Sequence, residues 1–340
     1  MEIREVGNDV ISTIARQVFG PQASVEAAVE IRQTSQHAIP RIVGCNANLS
    51  YVVRIANDPQ LYVFRFSRGY REDRFEKESR NYALIAEKTD VPTPRVYAVD
   101  RTARIAPTPY MVLDWMPGDT WTFLSHSRNP MTNAEEKAGI ERDAGGCYAQ
   151  IHSIERKPQG TPQGTERMLY RLDQLRHVVQ DGQFAVEMSK IDACQHVIET
   201  ENSLLVDTES VCVADAELHF RKTDRGWQPS FICDMEWVDF GDPYFDLAGL
   251  CAPKLFWELD SLFVVEATQT VSSRPFFSGY EEKRHIDYGR LGRIAPYAHF
   301  ACMCSIIGQV YRADKRAFMR SLEPKYVALI DGMLRIGGKG

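Results

Sequence analysis

The sequence lacks several features that would assign its 340 residues to a familiar class. It has no apolar run of the ~18 residues that a membrane-spanning helix needs, and its first ten residues do not show the basic-then-apolar pattern of a signal peptide. Basic residues are not in excess, since 40 Lys and Arg stand against 46 Asp and Glu, which argues against a general nucleic-acid binder. We therefore expect a cytoplasmic protein that binds neither a membrane nor nucleic acid.

Metal-type cysteine spacing is also missing. The eight cysteines are scattered, none of them stands in a CxxC pair, and the eight histidines show no zinc-like spacing either. Unpaired thiols in a reducing compartment are the favoured interpretation. One CxC pair, Cys302 and Cys304, lies in an apolar stretch with helical periodicity, where core packing is expected. Ordinary fractions of hydrophobic residues (44%) and charged residues (25%) exclude disorder, collagen and coiled coil.

What the first third of the chain does contain is a strand-rich pattern around one charged helix. β-rich runs at 51–55 and 61–66 flank a turn-forming Asn-Asp-Pro, and a helical pattern follows at 74–88. A Val-Pro-Thr-Pro segment ends that helix because proline cannot continue it. In the second strand aromatic residues alternate with Val63 and Arg65, so Arg65 should project from the face opposite the aromatics.

The rest of the chain is predicted to be mostly helical, interrupted by one hairpin. A helix is expected at 141–154, a strand over 203–213, and then a hairpin that turns at Asp224-Arg225-Gly226. The last ninety residues are predicted to be mostly amphipathic helix. Strands with one helix, followed by a long helical half, indicate an α+β fold.

Acidic residues at the ends of these strands are the candidate chemical groups. Asp215 follows the strand that leads into the hairpin, and Asp234 ends the returning strand 19 residues later. The hairpin should bring the two carboxylates close together. Such a pair suits a general base beside a metal ligand, or joint binding of Mg²⁺.

These residues resemble a known family. The segment Phe231–Trp237 followed by Gly241-Asp242-Pro243-Tyr244-Phe245-Asp246-Leu247-Ala248 is similar to the metal-binding segment of the aminoglycoside phosphotransferase and choline kinase-like superfamily of small-molecule kinases, which includes hygromycin phosphotransferases. The spacing from Asp215 to Asp234, the loop 44–50, the Val-Pro-Thr-Pro-Arg-Val stretch and the segment 110–118 also resemble that family. The likeness covers roughly residues 40–330.

The resemblance implies a protein-kinase-like, two-lobed fold. Residues 1–113 would form a small β-rich nucleotide-binding lobe, 114–118 a hinge, and 119–340 a larger, mostly helical catalytic and acceptor-binding lobe. It implies an O-phosphotransferase that uses ATP or GTP with Mg²⁺ and acts on a small hydroxylated molecule, such as an aminoglycoside-like antibiotic or a secondary metabolite.

The resemblance also implies roles for particular residues. Asp215 would be the catalytic base and Asp234 the Mg²⁺ ligand. Arg65, held by Glu78, would contact phosphate, and an Arg can do so because it is always charged and grips two oxygens at once. The loop 44–50 would add backbone N–H groups together with the side chains of Asn46 and Ser50.

Two departures from the family pattern leave an alternative open. The family's His-Gly-Asp is Val213-Ala214-Asp215 here, and Phe220 stands where an Asn usually supplies a second metal ligand. Glu217 or His219 could replace that ligand, and a hard cation would favour the carboxylate. The alternative function is a catalytically degenerate nucleotide-binding or scaffold protein of the same fold.

The identity of the acceptor is not predicted, and neither is the oligomeric state. Acidic residues after 250, among them Glu258, Asp260 and Glu266, could attract a cationic sugar. Aromatic residues of the same region could instead face a flatter, less charged acceptor. These are Trp257, Phe276, Phe277 and Tyr280.

Overall fold

The structure is a computed structural model of the chain. It describes residues 6–31, 48–67, 74–125, 129–158, 163–182, 185–200, 208–213, 216–249, 274–312, 323–324, 327–328 and 330–335. These residues form two compact units. The first consists of residues 1–144 and 215–238, and the second of residues 145–214 and 239–340.

The first unit is built on an antiparallel five-stranded sheet in the order β1-β2-β3-β5-β4. Its strands are β1 Val25–Glu30, β2 Asn48–Ile55, β3 Leu61–Ser67, β4 Val96–Asp100 and β5 Tyr110–Asp114. The aromatic side chains of β3 are buried in one core with helix α1 (Asn8–Phe19). Arg65 leaves β3 on the opposite face, as the alternation predicts.

Helix α2 (Arg74–Lys88) coincides with the predicted segment at both ends. Its buried residues are Phe75, Glu78, Tyr82 and Ile85, which recur at the spacing of one helix face. A carboxylate in the middle of this otherwise apolar face is unusual, because a buried charge is costly unless it is paired.

The predicted hairpin is present in the first unit. Strand β6 (Asp119–Thr120) pairs with β9 (Glu217–Thr223), which pairs in turn with β10 (Gly226–Cys233). The turn Asp224-Arg225 leads into Gly226, whose φ of 95° suits glycine. At the open end of the hairpin Glu217 lies opposite Cys233, so the chain continues from there directly into Asp234.

The first unit also contains helix α3 (Trp121–Leu124) and the beginning of helix α4 (Ala134–His152). The prediction for α4 began seven residues too late, because Gly145-Gly146 and the polar first turns weaken the helical pattern. In the second unit a Cβ on Gly145 would clash with the carbonyl oxygen of Phe276, so glycine there permits close backbone approach.

The second unit combines helices with a three-stranded sheet in the order β11-β8-β7. Helices α5 and α6 are followed by helical residues at 243–249 and by helices α7 and α8. The bounds are β7 Glu155–Arg156, α5 Gln163–Gln180, α6 Met188–Thr200, β8 Glu209–Cys212, β11 Asp239–Gly241, α7 Pro275–Glu281 and α8 Tyr288–Arg312.

The elements observed confirm the α+β prediction and add to it. Helix α1 and strand β1 were not predicted, since neither carries a motif and the apolar residues of β1 do not alternate strictly with polar ones. Phe276, Phe277 and Tyr280 of α7 are buried, so they pack the core and do not face an acceptor. Cys304 is buried as expected. The side chain of Cys302 and the residues 250–273 lie outside the described part of the chain.

Candidate active site

The site in the first unit is organised by an ion pair between strand β3 and helix α2. Arg65 donates from Nη1 to Oε1 of Glu78, whose side chain is fully buried. The hydroxyl of Tyr82, one turn further along α2, donates to the same oxygen at 2.8 Å. Helix α2 thus fixes the Arg65 guanidinium through a carboxylate that cannot move into solvent. The pair predicted from the sequence is present.

Asp234 lies beside this ion pair. Its Oδ1 is 3.8 Å from Nη2 of Arg65, and 47% of its side chain is exposed. The backbone at Asp234 is left-handed, with φ 63° and ψ 46°, a conformation that aspartate tolerates better than most residues. This kink separates β10 from the 3-10 turn Met235–Trp237 and turns the chain beside the Arg65 guanidinium.

Two further side chains of α2 hold the segment after Asp234. Asn81 donates from Nδ2 to the carbonyl oxygens of Met235 at 2.8 Å and of Val238 at 3.1 Å. Arg74 forms an ion pair with Glu236. Positions 74, 78 and 81 recur at the spacing of one helix face, so a single face of α2 secures both the Arg65 guanidinium and the Asp234 turn.

Negative charge exceeds positive charge among these neighbouring side chains. Partial burial raises the pKa of the Asp234 carboxyl to about 7; the charge of Glu236 adds to that rise, and Arg65 opposes it. Burial also raises the pKa of Glu236, against the effect of Arg74. Carboxylates whose pKa values rise in this way are stabilised in their charged form by an added cation.

Glu217 and His219 project from β9 on the same side, because they are two residues apart on one strand. Nε2 of His219 is 3.7 Å from Oε2 of Glu217 and 3.3 Å from Sγ of Cys233. The charge of Glu217 also contributes to the raised pKa of Asp234. Phe220, at the family's Asn position, is fully buried and offers no ligand.

Of the three remaining predicted site residues, only Ser50 lies in the part of the chain that the structure describes. Ser50 lies opposite Arg65 in the β2–β3 register, so both side chains occupy one face of the sheet. Asn46 and Asp215 lie outside the described residues. Their predicted roles in phosphate binding and in catalysis stay predictions.

The second unit contains a separate buried network around Asp246. Its Oδ2 accepts from the backbone N–H of Val213 at 2.6 Å and lies 3.0 Å from Nε2 of His152. Nδ1 of His152 is 3.0 Å from the hydroxyl of Tyr280. All three side chains are buried. The network therefore braces the backbone at Val213, two residues before Asp215 in the sequence.

Sequence reasoning missed Arg74, Asn81 and Cys233. The first two carried a usable signal, because they lie four residues before and three residues after Glu78 and so share its helix face. Cys233 carried none, since its partner His219 is 14 residues away and only the hairpin register brings them together.

No helix among the described residues is both long enough and apolar enough to cross a membrane.

Comparison with known proteins identifies the family. Residues 39–281 match the family model described as the phosphotransferase enzyme family. No significant match was found among curated proteins. The chain is similar in structure to a Ralstonia eutropha protein assigned as an aminoglycoside phosphotransferase, at 14% identity and a TM-score of 0.65, covering 98% of this chain and 99% of that one.

Two other solved structures are similar over nearly their whole length. One is a thermostable variant of the aminoglycoside phosphotransferase APH(4)-Ia with AMP-PNP and hygromycin B, at 12% identity and a TM-score of 0.55, covering 97% of this chain and 99% of that one. The other is choline kinase from Cryptosporidium parvum, at 11% identity and a TM-score of 0.54, covering 98% and 99%.

These neighbours confirm the α+β, protein-kinase-like fold, and the family match confirms the resemblance drawn from the sequence. The chain therefore belongs to the phosphotransferase enzyme family, and it is a small-molecule kinase.

Proposed function

We propose that the protein transfers the γ-phosphoryl group of ATP or GTP to a hydroxyl of a small molecule, with Mg²⁺ as cofactor. The observation that carries this proposal is the placement of Asp234 3.8 Å from an Arg65 guanidinium that a buried glutamate orients. Phosphoryl transfer depends mainly on positioning and charge neutralisation, and this arrangement provides a fixed cation beside a half-exposed carboxylate.

Nucleotide phosphates would be bound on the Arg65 face of the sheet. Arg65 would contact the α- and β-phosphates, Glu78 would keep its guanidinium in place, and Ser50 would donate its hydroxyl from the neighbouring strand. Asn46 would contribute from the loop before β2. The complex of APH(4)-Ia with AMP-PNP supports a nucleotide as the co-substrate.

The carboxylates fit a hard cation. The charges of Glu236 and Glu217 both raise the pKa of the Asp234 carboxyl, so an added cation beside Asp234 would stabilise its charged form. Mg²⁺ prefers oxygen ligands, so Asp234 and Glu217 would hold it, while the softer nitrogen of His219 suits it less well. When bound, the ion would neutralise charge on the β- and γ-phosphates.

In the proposed reaction the acceptor's hydroxyl oxygen attacks the γ-phosphorus. The bond from that phosphorus to the bridging oxygen breaks, ADP or GDP leaves with the electron pair, and Asp215 accepts the proton of the hydroxyl. Aminoglycoside-like antibiotics and related secondary metabolites are the proposed acceptors. Hygromycin B in one structural neighbour and spectinomycin in another support this class.

The first experiment measures thermal stability with ATP or GTP, each with and without Mg²⁺, for the wild type, Asp234→Asn and Asp224→Asn. Nucleotide at 100 times its dissociation constant adds about 2.7 kcal/mol to stability. We expect a Mg²⁺-dependent increase in the wild type, its loss in Asp234→Asn, and its retention in Asp224→Asn, which alters an exposed aspartate in the hairpin turn.

Two results would count against the proposal. Stabilisation by nucleotide that is independent of Mg²⁺ and unchanged in Asp234→Asn would favour the nucleotide-binding scaffold. That alternative has one specific observation behind it, the buried Phe220 in place of a metal ligand. An absence of stabilisation by either nucleotide would remove the proposed role of Asp215 as well.

A further inference from the structure

The open end of the β9–β10 hairpin brings together three side chains of different chemistry. A carboxylate oxygen of Glu217, an imidazole nitrogen of His219 and the sulfur of Cys233 all lie within 4.8 Å of one another. In a tetrahedral site with metal–nitrogen and metal–sulfur distances near 2.0 and 2.3 Å, nitrogen and sulfur ligands would be about 3.5 Å apart. The observed Nε2–Sγ distance of 3.3 Å is close to that value.

The imidazole of His219 is held in the orientation that a metal ligand needs. Its Nδ1 is 3.2 Å from the carbonyl oxygen of Gly118, and a carbonyl can only accept, so the proton of the neutral ring resides on Nδ1. The lone pair of Nε2 therefore points toward Cys233 and Glu217. Histidine ligands of metals commonly donate their other nitrogen to a backbone carbonyl in this way.

Two further features fix the ring. It stacks on Phe231 with centroids 4.2 Å apart and planes 15° from parallel. The backbone at Gly118 approaches β9 so closely that a Cβ there would lie 2.9 Å from the carbonyl oxygen of Phe220. Glycine at 118 thus allows the carbonyl to reach His219, and the imidazole is positioned before any ligand arrives.

From this geometry we propose that, in the protein free of Mg²⁺ and nucleotide, Glu217, His219 and Cys233 bind a divalent transition-metal ion of the Zn²⁺ class. Oxygen, nitrogen and sulfur ligands together suit zinc or cobalt, whereas Mg²⁺ takes oxygen ligands. Binding replaces the thiol proton of Cys233 with a metal–sulfur bond and releases that proton to solvent. With 47% of the Glu217 side chain exposed, the fourth ligand position is open to water.

The test uses the full chain without nucleotide and without Mg²⁺, so that its outcome is independent of the proposed kinase activity. Co²⁺ is titrated into the reduced protein and the absorption spectrum is recorded. We expect visible bands of a tetrahedral ion together with a near-ultraviolet thiolate-to-cobalt band. Competition against a chromogenic chelator then gives the affinity for Zn²⁺.

Variants assign the ligands. Cys233→Ser should abolish the thiolate band, and Cys233→Ser, His219→Gln and the half-exposed Glu217→Gln should each weaken Zn²⁺ binding about tenfold or more. Cys194→Ala in helix α6 and the exposed His196→Gln are the matched controls and should leave both readouts unchanged.

The proposal is overturned if the cobalt spectrum of the wild type lacks a thiolate band, or if Cys233→Ser binds Zn²⁺ as tightly as the wild type. Equal weakening by the exposed control His196→Gln would likewise overturn it, because binding would then be distributed over surface groups. If Cys233→Ser or His219→Gln fails to fold, the exposed Glu217→Gln still tests the proposal through its Zn²⁺ affinity.

Discussion

The two units each contain an aspartate from the same stretch of sequence, and the two side chains have opposite surroundings. In the second unit the fully buried Asp246 lies within hydrogen-bonding distance of Val213 N–H and His152. In the first unit Asp234 is 47% exposed and faces Arg65 at 3.8 Å, with other carboxylates nearby. A carboxylate surrounded by donors is part of the structure, whereas one among like charges has capacity left for a cation.

The largest expected effect on stability comes from removing Asp246. Asp246→Ala should lower the free energy of unfolding by about 3 kcal/mol or more, because the Val213 N–H and the His152 ring are left buried without an acceptor. Chemical denaturation of the wild type and the variant measures this loss, with the exposed Asp224→Ala as control. A loss below about 1 kcal/mol would show that the Asp246 network does not brace the second unit.

Glu78→Gln tests the buried carboxylate of the first unit. It should cost about 2 kcal/mol of unfolding free energy, since Arg65 loses its charged partner but keeps Asp234 nearby. The same helix supplies the control, because Glu87 is 70% exposed and Glu87→Gln should be nearly neutral. If both variants unfold alike, Glu78 does not anchor Arg65 in the way proposed.

His299 allows a pH test in the second unit. Burial lowers its pKa from 6.5 to about 4, so the unfolded chain binds a proton more readily than the folded one. Its contribution to stability is therefore present above pH 6.5 and is lost as the pH falls toward 4. We expect about 1 kcal/mol less stability at pH 5.5 than at pH 7 from this group.

The measurement compares unfolding free energies at the two pH values for the wild type, His299→Gln and the exposed His285→Gln. The wild type and His285→Gln should share the same acid loss, and His299→Gln should show less of it. An identical pH dependence in all three proteins would contradict the assignment.

The smallest effect on stability is expected at Asp234. Asp234→Asn should not lower the free energy of unfolding of the metal-free protein and should raise it slightly, because burial and the charge of Glu236 disfavour the Asp234 carboxylate more than Arg65 favours it. Denaturation without nucleotide or metal checks this, with Asp246→Asn as the contrasting variant. If both variants lost a comparable amount of unfolding free energy, the contrast drawn between Asp234 and Asp246 would be wrong.

Part of the neighbourhood of the candidate site agrees with the sequence interpretation, namely the contact between Arg65 and Glu78. The pairing of Arg65 with Glu78 was implied by the family resemblance, and strand alternation placed Arg65 on the face opposite the aromatic side chains. Ser50 also follows this rule, since it lies opposite Arg65 in the sheet. The predicted lobe boundary at 114–118 stays a prediction. The first compact unit combines residues 1–144 with residues 215–238, which include the hairpin.

The sequence by itself determined the α+β class, the length of α2, the hairpin turn and the family, because these depend on periodicity, turn chemistry and motif spacing within short segments. Only the tertiary structure decided that Asn81 holds the carbonyls after Asp234 and that Arg74 pairs with Glu236, more than 150 residues away. It also decided that Cys233 and His219 meet. Such contacts depend on the packing of separate elements, which local patterns along the chain do not specify.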